Sequence, residues 1–152
     1  MSFSCSSYYN ESPWQEFAED ITAVKLPDGL TSIAEYAFND CSNLTSITIP
    51  YGVTSIGGEA FAYAGLTSIT LPDSVTSIEF GTFVHCTDLT SITIPDSVMS
   101  IGQDAFECCT SLTSITIPDS VTSIGNCAMY GCSSLTSITI PDGVTSIEDS
   151  AF

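Results

Sequence analysis

LTSITIPDSVMSIGQDAFECC, from Leu89 to Cys109, is one copy of a motif that recurs along most of the 152-residue chain. Its opening letters, LTSIT, return at successive spacings of 22, 23, 23 and 23 residues. They begin at Leu44, Leu66, Leu89, Leu112 and Leu135. Repetition at one period of this length is the sequence signature of a solenoid, in which each unit stacks on the next.

The spacing divides the chain into a short head and a run of repeats. One further step back from Leu44 reaches a degenerate copy that starts at Ile21. We therefore predict an N-terminal cap over residues 1–20, built around Trp14 and Phe17, and one repeat domain over residues 21–152. Its repeats are 21–43, 44–65, 66–88, 89–111, 112–134 and a truncated 135–152.

The first half of each unit has the pattern of a strand followed by a turn. Ser46 to Ile49 alternate polar and apolar residues, which is the periodicity of a half-buried strand. Ile47 and Ile49 are then inward and Ser46 and Thr48 outward. A Pro-Asp-Ser or Pro-Asp-Gly sequence follows in most copies, and such residues favour a turn.

The second half of each unit predicts a shorter extended piece and then a helical turn. In the copy that starts at Leu89, Val98 and Ile101 are the inward residues of the extended piece. Ala105, Phe106 and Cys109 share one face of a helical or 3₁₀ turn at their spacing. The unit therefore predicts an α/β repeat solenoid, with a parallel β-sheet on one face and short helical or 3₁₀ turns on the other.

Charge excludes several kinds of partner. The chain has 18 Asp and Glu against one Lys, Lys25, and a net charge of −17. Nucleic acid and anionic membranes need clustered Lys and Arg, so neither is expected as a partner. No apolar run is long enough for a membrane-spanning helix. Residues 1–5 lack a basic segment followed by an apolar one, so no signal peptide is expected, and the chain is either cytosolic or a piece of a longer protein.

The unit resembles the BspA-like leucine-rich repeats, whose pattern is LxxIxIPxxVxxIGxxAFxxC. Leu89 to Cys109 match it throughout, and the likeness covers residues 21–152. The head, Tyr8 to Trp14, is similar to the Ser-Pro-Trp lead-in of bacterial members. The resemblance implies a right-handed leucine-rich-repeat superhelix in a secreted or cell-surface protein. It also implies a non-catalytic interaction or adhesion module, some members adhering to matrix proteins or cells. The alternatives are a structural spacer or a binding face for glycan or ice. No enzyme activity is expected.

Two departures from the pattern carry expectations of their own. Glu79-Phe80-Gly81-Thr82 replaces the usual Gly-x-x-Ala, so this turn is expected to differ. The sequence stops at Phe152, within a repeat and without the polar cap that a solenoid end requires. We therefore expect a fragment of a longer solenoid, or end-to-end self-association through the uncapped C-terminus.

Most of the seven cysteines are explained by the repeat. Cys41, Cys86, Cys109 and Cys132 share one slot, which Ala64 fills in the second repeat, so the slot suits a small buried apolar residue. Cys5, Cys108 and Cys127 lie outside this slot. A disulfide between Cys108 and Cys127 on neighbouring coils stays open as an alternative. No CxxC pair occurs, so no zinc site is expected.

Two polar features could take part in chemistry, and each also has a purely structural interpretation. His85 is the only histidine and is interpreted as a solvated surface residue, since no unique nucleophile and carboxylate accompany it. The Asp ladder after the prolines is interpreted as turn residues, with bridging Ca²⁺ left open. The ladder consists of Asp28, Asp73, Asp96, Asp119 and Asp142, and Tyr51 interrupts it. No catalytic residue, metal or cofactor is expected.

Two surfaces remain as candidate binding sites. The first, the hydroxyl face, consists of the outward pairs Ser46/Thr48, Ser68/Thr70, Ser91/Thr93, Ser114/Thr116 and Ser137/Thr139; the first repeat has Ala23/Lys25 there. Its ligand would be a protein or glycan, and plain solvent exposure of hydroxyls on a sheet is the alternative. The second, the variable edge, consists of Tyr36, Tyr63, Phe80 and Tyr130, because aromatic residues often dominate tight interfaces.

Overall fold

The computed structural model describes residues 15–152. Within the predicted cap, residues 15–20 form a 3₁₀ helix, Gln15–Asp20. Ala18 is buried against the repeats, at 1% exposure, whereas Phe17 is 62% exposed. The prediction that Phe17 anchors the cap is therefore wrong, because the helix turns its small residue to the core. Trp14, the lead-in from Tyr8 and Cys5 lie outside the described residues.

The strands are short and come from both extended pieces of the unit. In each of the buried strands an isoleucine points inward and its serine neighbour lies at or near the surface. They are β1 (Ser32–Ile33), β2 (Ser55–Ile56), β3 (Ser68–Thr70), β4 (Ser77–Ile78), β5 (Ser91–Thr93), β6 (Ser100–Ile101), β7 (Ser123–Ile124) and β8 (Ser146–Ile147).

All pairings are parallel and join equivalent residues of successive coils. β4, β6, β7 and β8 form a four-stranded sheet, and β1 pairs with β2. The LTSIT segments contribute the pair β3–β5, together with an isolated bridge between Val24 and Ile47. The predicted parallel sheet is thus present on two sides of the coil, and its longer run lies on the second extended piece.

The segment that contains the Ala-Phe pair forms overlapping turns with the three-residue hydrogen-bond spacing of the predicted 3₁₀ turn, but without a continuous helix. In the coil of Phe83, the amides of Thr82, Val84 and Cys86 donate to carbonyls three residues earlier in the same coil. The intervening amides of Gly81, Phe83 and His85 donate to the next coil at 2.8–2.9 Å. Alternate amides therefore point in different directions, which no helix allows. Ala105, Phe106 and Cys109 are nevertheless buried, as predicted.

Two columns of left-handed residues permit this alternation, and we name them the first and second left-handed columns. Their φ angles lie between 52° and 75°. The first column is Tyr36, Glu59, Gly81, Asp104, Cys127 and Ser150, and the second is Asp40, Tyr63, His85, Cys108 and Gly131. Gly81, with φ of 56°, occupies its place in the first column. The expectation that the turn at 79–82 differs is wrong, because Gly81 reproduces the backbone of the other coils.

The core is a set of columns in which like side chains stack. Phe38, Phe61, Phe83 and Phe106 have ring centroids 5.4–5.6 Å apart and nearly parallel planes. The leucines that open the repeats, from Leu44 to Leu112, are fully buried beside them. Each ring therefore packs against the ring of the next coil, and the spacing of the coils sets their separation.

The cysteine slot is buried, which confirms its interpretation as part of the core. We call Cys41, Cys86, Cys109 and Cys132 the thiol column. The thiols of Cys86, Cys109 and Cys132 donate to main-chain carbonyl oxygens of Phe61, Phe83 and Phe106 at 3.0–3.2 Å. Burial raises the pKa of Cys86 to about 12 and that of Cys132 to about 11, from an ordinary value of 9.0.

Several Thr and Ser hydroxyls form hydrogen bonds between coils, a role that the sequence did not reveal. Thr90 Oγ1 donates to the Thr67 carbonyl at 2.9 Å, and Thr67 and Thr113 do the same to their preceding coils. Ser97 and Ser120 donate to carbonyls of the coil before at 2.6 Å. These side chains add hydrogen bonds to the stacking interface.

We predict that Thr90→Val destabilises the protein by about 1 kcal/mol, because a carbonyl of the preceding coil loses one of its donors while the side-chain shape is kept. Thr93→Val is the matched control, since its hydroxyl is exposed and has no partner within residues 15–152. Urea unfolding followed by circular dichroism measures both. Equal losses of stability in the two variants would contradict the role of the Thr90 bond.

We predict that the free energy of unfolding falls as the pH rises from about 9 towards 12. Folded Cys86 keeps its proton to about pH 12, whereas an unfolded thiol ionises near 9.0, so its contribution is complete below pH 9 and is lost above it. Urea unfolding between pH 8 and 11 measures this. A variant with Cys86, Cys109 and Cys132 replaced by Ala, as Ala64 fills the slot, should lose less stability with pH. An identical slope would refute the prediction.

Candidate functional site

The hydroxyl face is exposed along its whole length. All ten of its Ser and Thr side chains are exposed. Ser68 pairs with Ser91, and Thr70 with Thr93, in the register of β3 and β5. Strands in a sheet lie about 4.8 Å apart, so the like hydroxyls of β3 and β5 lie at about this distance. The face therefore presents a series of exposed Ser and a series of exposed Thr on successive coils, and the two are paired in register between β3 and β5.

The hydroxyls of this face are free of internal bonds. Within residues 15–152 none of the ten donates to or accepts from another group of the protein through its side chain. This distinguishes them from Thr67, Thr90 and Thr113, whose hydroxyls are used between coils. Each free hydroxyl offers one donor and two acceptor positions. The arrangement can therefore form a regular series of neutral hydrogen bonds with a ligand or with water.

The variable edge is spread over the turn segment of different coils. Phe80 and Tyr130 are about half exposed, at 47% and 52%. Tyr36 is partly buried and its hydroxyl lies 3.4 Å from a Glu59 carboxylate oxygen. Burial, and then the charge of Glu59, raises the pKa of Tyr36. Among the described residues, no two of the four aromatic side chains stack on each other, so they form separate points along the edge.

Among the described residues, Tyr63 makes the one ring-stacking contact of the edge, with a residue outside the predicted set. Its ring stacks on that of His85 at 4.8 Å between centroids and 6° between planes. His85 is partly buried by this contact and is less solvated than predicted. Both residues belong to the second left-handed column, on adjacent coils. An alignment of the repeats would have placed the two residues at equivalent positions of adjacent coils, since they are 22 residues apart, which is the length of one coil.

The two rings line a cleft of about 630 Å³ beneath the 3₁₀ helix. The helix supplies Glu16, Phe17, Glu19 and Asp20, and Asp40 of the first repeat also lines the cleft. The cleft therefore combines an aromatic pair with carboxylates from two parts of the chain. The motifs considered in the sequence gave no signal for it, because it joins the head to the coils.

The Asp ladder is exposed, and so is Tyr51, at 90%. Asp119 and Asp142 flank a shallow depression of about 440 Å³ that also contacts Thr139. Across residues 15–152, no group of three or more His, Cys, Asp or Glu side chains is placed to hold a metal ion. The ladder is thus a row of solvent-facing turn residues in this structure.

Cys108 and Cys127 are both free thiols. Cys108 lies in the second left-handed column and Cys127 in the first, so their side chains start from different parts of the turn segment. The alternative of a disulfide between them is not realised. Desolvation, followed by the charges of Asp104, Glu107 and Asp149, raises the pKa of Cys127. Negative charge is therefore concentrated along this edge.

No helix in the described part of the chain is long and apolar enough to cross a membrane. The comparisons with known proteins point to bacterial repeat proteins. A leucine-rich-repeat protein from Bacteroides ovatus superposes with a TM-score of 0.83 at 28% identity, covering 92% of this chain and 37% of that one. A leucine rich cell surface protein from Faecalibacterium prausnitzii gives 0.74 at 37% identity, covering 78% and 31%. The leucine-rich-repeat protein of T. pallidum gives 0.71 at 36% identity, covering 74% and 53%.

The chain spans about a third to a half of the length of these structures, and no curated protein matches it. A family model described as the BspA type leucine rich repeat region matches in six copies, over residues 15–109 and 54–152. The matched residues include every coil described above. This chain therefore belongs to the family of BspA-type leucine-rich-repeat proteins.

Proposed function

We propose that the chain is a non-catalytic interaction and adhesion module of a secreted or cell-surface protein. In this proposal the hydroxyl face binds an extended protein segment or a glycan. The observation that carries it is the pair of exposed hydroxyl rows, whose side chains have no partner within residues 15–152. The similarity to a chain described as a cell surface protein supports the location.

A regular hydroxyl lattice suits ligands that are themselves regular. Hydroxyls spaced by about 4.8 Å can pair with successive polar groups of an extended polypeptide or of a glycan chain. One neutral hydrogen bond contributes only about 0.5–1.5 kcal/mol net, so affinity grows with the number of coils engaged. The face lacks aromatic and arginine anchors, which favours multivalent contact over one tight pocket.

The proposal of a non-catalytic role rests on the surroundings of the reactive side chains. The imidazole of His85 stacks on Tyr63 and makes no side-chain hydrogen bond within the described residues. The buried thiols have raised pKa values, which favour the unreactive protonated form. Neither group forms the hydrogen-bonded nucleophile and base that acyl transfer requires.

We predict that replacing Thr93 and Thr116 together by Lys weakens binding to a matrix ligand about tenfold, since two hydrogen-bonding positions are lost and long side chains obstruct the face. Surface plasmon resonance on immobilised collagen, fibronectin, laminin and mucin glycans measures this. The matched control replaces Thr76 and Met99 by Lys, because both are exposed on the other extended side of the coil.

Equal weakening by the control would assign the effect to charge alone. Unchanged binding by the Thr93 and Thr116 variant would move the site to the variable edge. A wild-type protein that binds none of the four ligands would count against adhesion to matrix.

A further inference from the structure

The C-terminal end of the 3₁₀ helix that lines the cleft is bonded to the first repeat. The Asn43 side-chain amide donates to the Glu19 carbonyl oxygen, and Ile21 N donates to the Ala18 carbonyl at 3.3 Å. Ala18 is buried, at 1% exposure. The end of the helix that contributes Glu19 and Asp20 to the cleft is thus held against the first coil.

The coils contribute two aromatic rings to the lining of the cleft. Tyr63 and His85 stack with planes 6° apart, and Tyr63 remains 48% exposed. Their φ angles of 58° and 57° place both side chains at the same point of the turn on adjacent coils. Both rings therefore lie on adjacent coils where they line the cleft, and Phe17 lines it from the helix.

The negative charge of the cleft favours a positively charged ligand. Glu16, Glu19, Asp20 and Asp40 line it and are all exposed. Lys25 is the only Lys or Arg in the chain and is not among the lining residues. No Lys or Arg therefore lines the cleft, and its four carboxylates make it complementary to a cation.

We propose that the cleft binds an arginine side chain of a basic partner protein. A guanidinium is planar, can stack on an aromatic ring and donates hydrogen bonds to carboxylates along its edge, which matches a cleft lined by aromatic rings and four carboxylates. Lysine would share the charge without the planar stacking. This inference rests on the proposed binding function and deepens it, because it names the chemistry of a partner for a second surface.

The experiment titrates fluorescein-labelled octa-arginine into the full chain and follows fluorescence polarisation. Tyr63→Ala removes the outer ring, and Tyr51→Ala is its control because Tyr51 is exposed outside the cleft. Asp40→Asn with Glu19→Gln removes two cleft charges. Asp96→Asn with Asp119→Asn removes the same charge from the Asp ladder. Thermal melting of each variant verifies folding.

Each cleft variant should weaken octa-arginine binding about fivefold, and each control less than about twofold. Octa-lysine should bind wild type less tightly than octa-arginine. Equal weakening by the Asp ladder control would show that net charge alone attracts the peptide, which overturns the inference. A wild-type protein that fails to bind octa-arginine also overturns it.

The two experiments can reject the hydroxyl-face proposal and the cleft proposal independently of each other. If Tyr63→Ala leaves matrix binding unchanged while octa-arginine binding proves non-specific, only the cleft inference falls. If the cleft variants lose octa-arginine and the matrix ligands never bind, adhesion through the hydroxyl face falls and the cleft inference stands.

Discussion

Backbone hydrogen bonding from one coil to the next is the constraint on which the rest of this molecule depends. Each coil leaves alternate amides of its turn segment without a partner inside the coil, and the following coil supplies the carbonyls. A buried amide that lacked this partner would be strongly destabilising. Successive coils are therefore bound to one register, and equivalent residues meet as columns. In the interior, each side chain must pack against the same type of side chain on the next coil. This requirement explains the stacked phenylalanines and the thiol column.

The same register divides the many Ser and Thr residues into two sets. Hydroxyls that lie beside a carbonyl of the preceding coil, as in Thr90 and Ser97, are used to hold the stack together. Hydroxyls that point directly away from the sheet, as in Thr93, find no such carbonyl and stay free. Residue type alone does not distinguish these roles. Position within the coil does, and this is why the surface available for binding is narrower than the composition suggests.

The period and the alternation of Ile with Ser or Thr were sufficient to predict the solenoid, its buried residues and the outward face. The turn segment was beyond such prediction. Its first left-handed column contains residues as different as Tyr36, Gly81 and Cys127, so no shared propensity indicated the backbone conformation. The helical spacing of its apolar residues led to the prediction of a helical or 3₁₀ turn. In the structure, alternate backbone amides of this segment donate to the next coil instead. Phe17 was misplaced for a related reason, since apolarity predicted burial and the helix buried Ala18 instead.

The left-handed columns also explain where diversity is tolerated. In the second column, inter-coil hydrogen bonds hold the backbone from Asp40 to Cys108, and the side chains project from the coil without contributing to the Phe and Leu columns. Asp, Tyr, His and Cys can therefore follow one another there at little cost beyond that of the left-handed conformation. The hydroxyl face repeats the same two side chains in every coil after the first, whereas this column differs in each. A ligand that follows several coils would meet one repeated chemistry on the hydroxyl face. A ligand that contacts one or two coils would find distinct chemistry at the column, where Asp40, Tyr63 and His85 line the cleft.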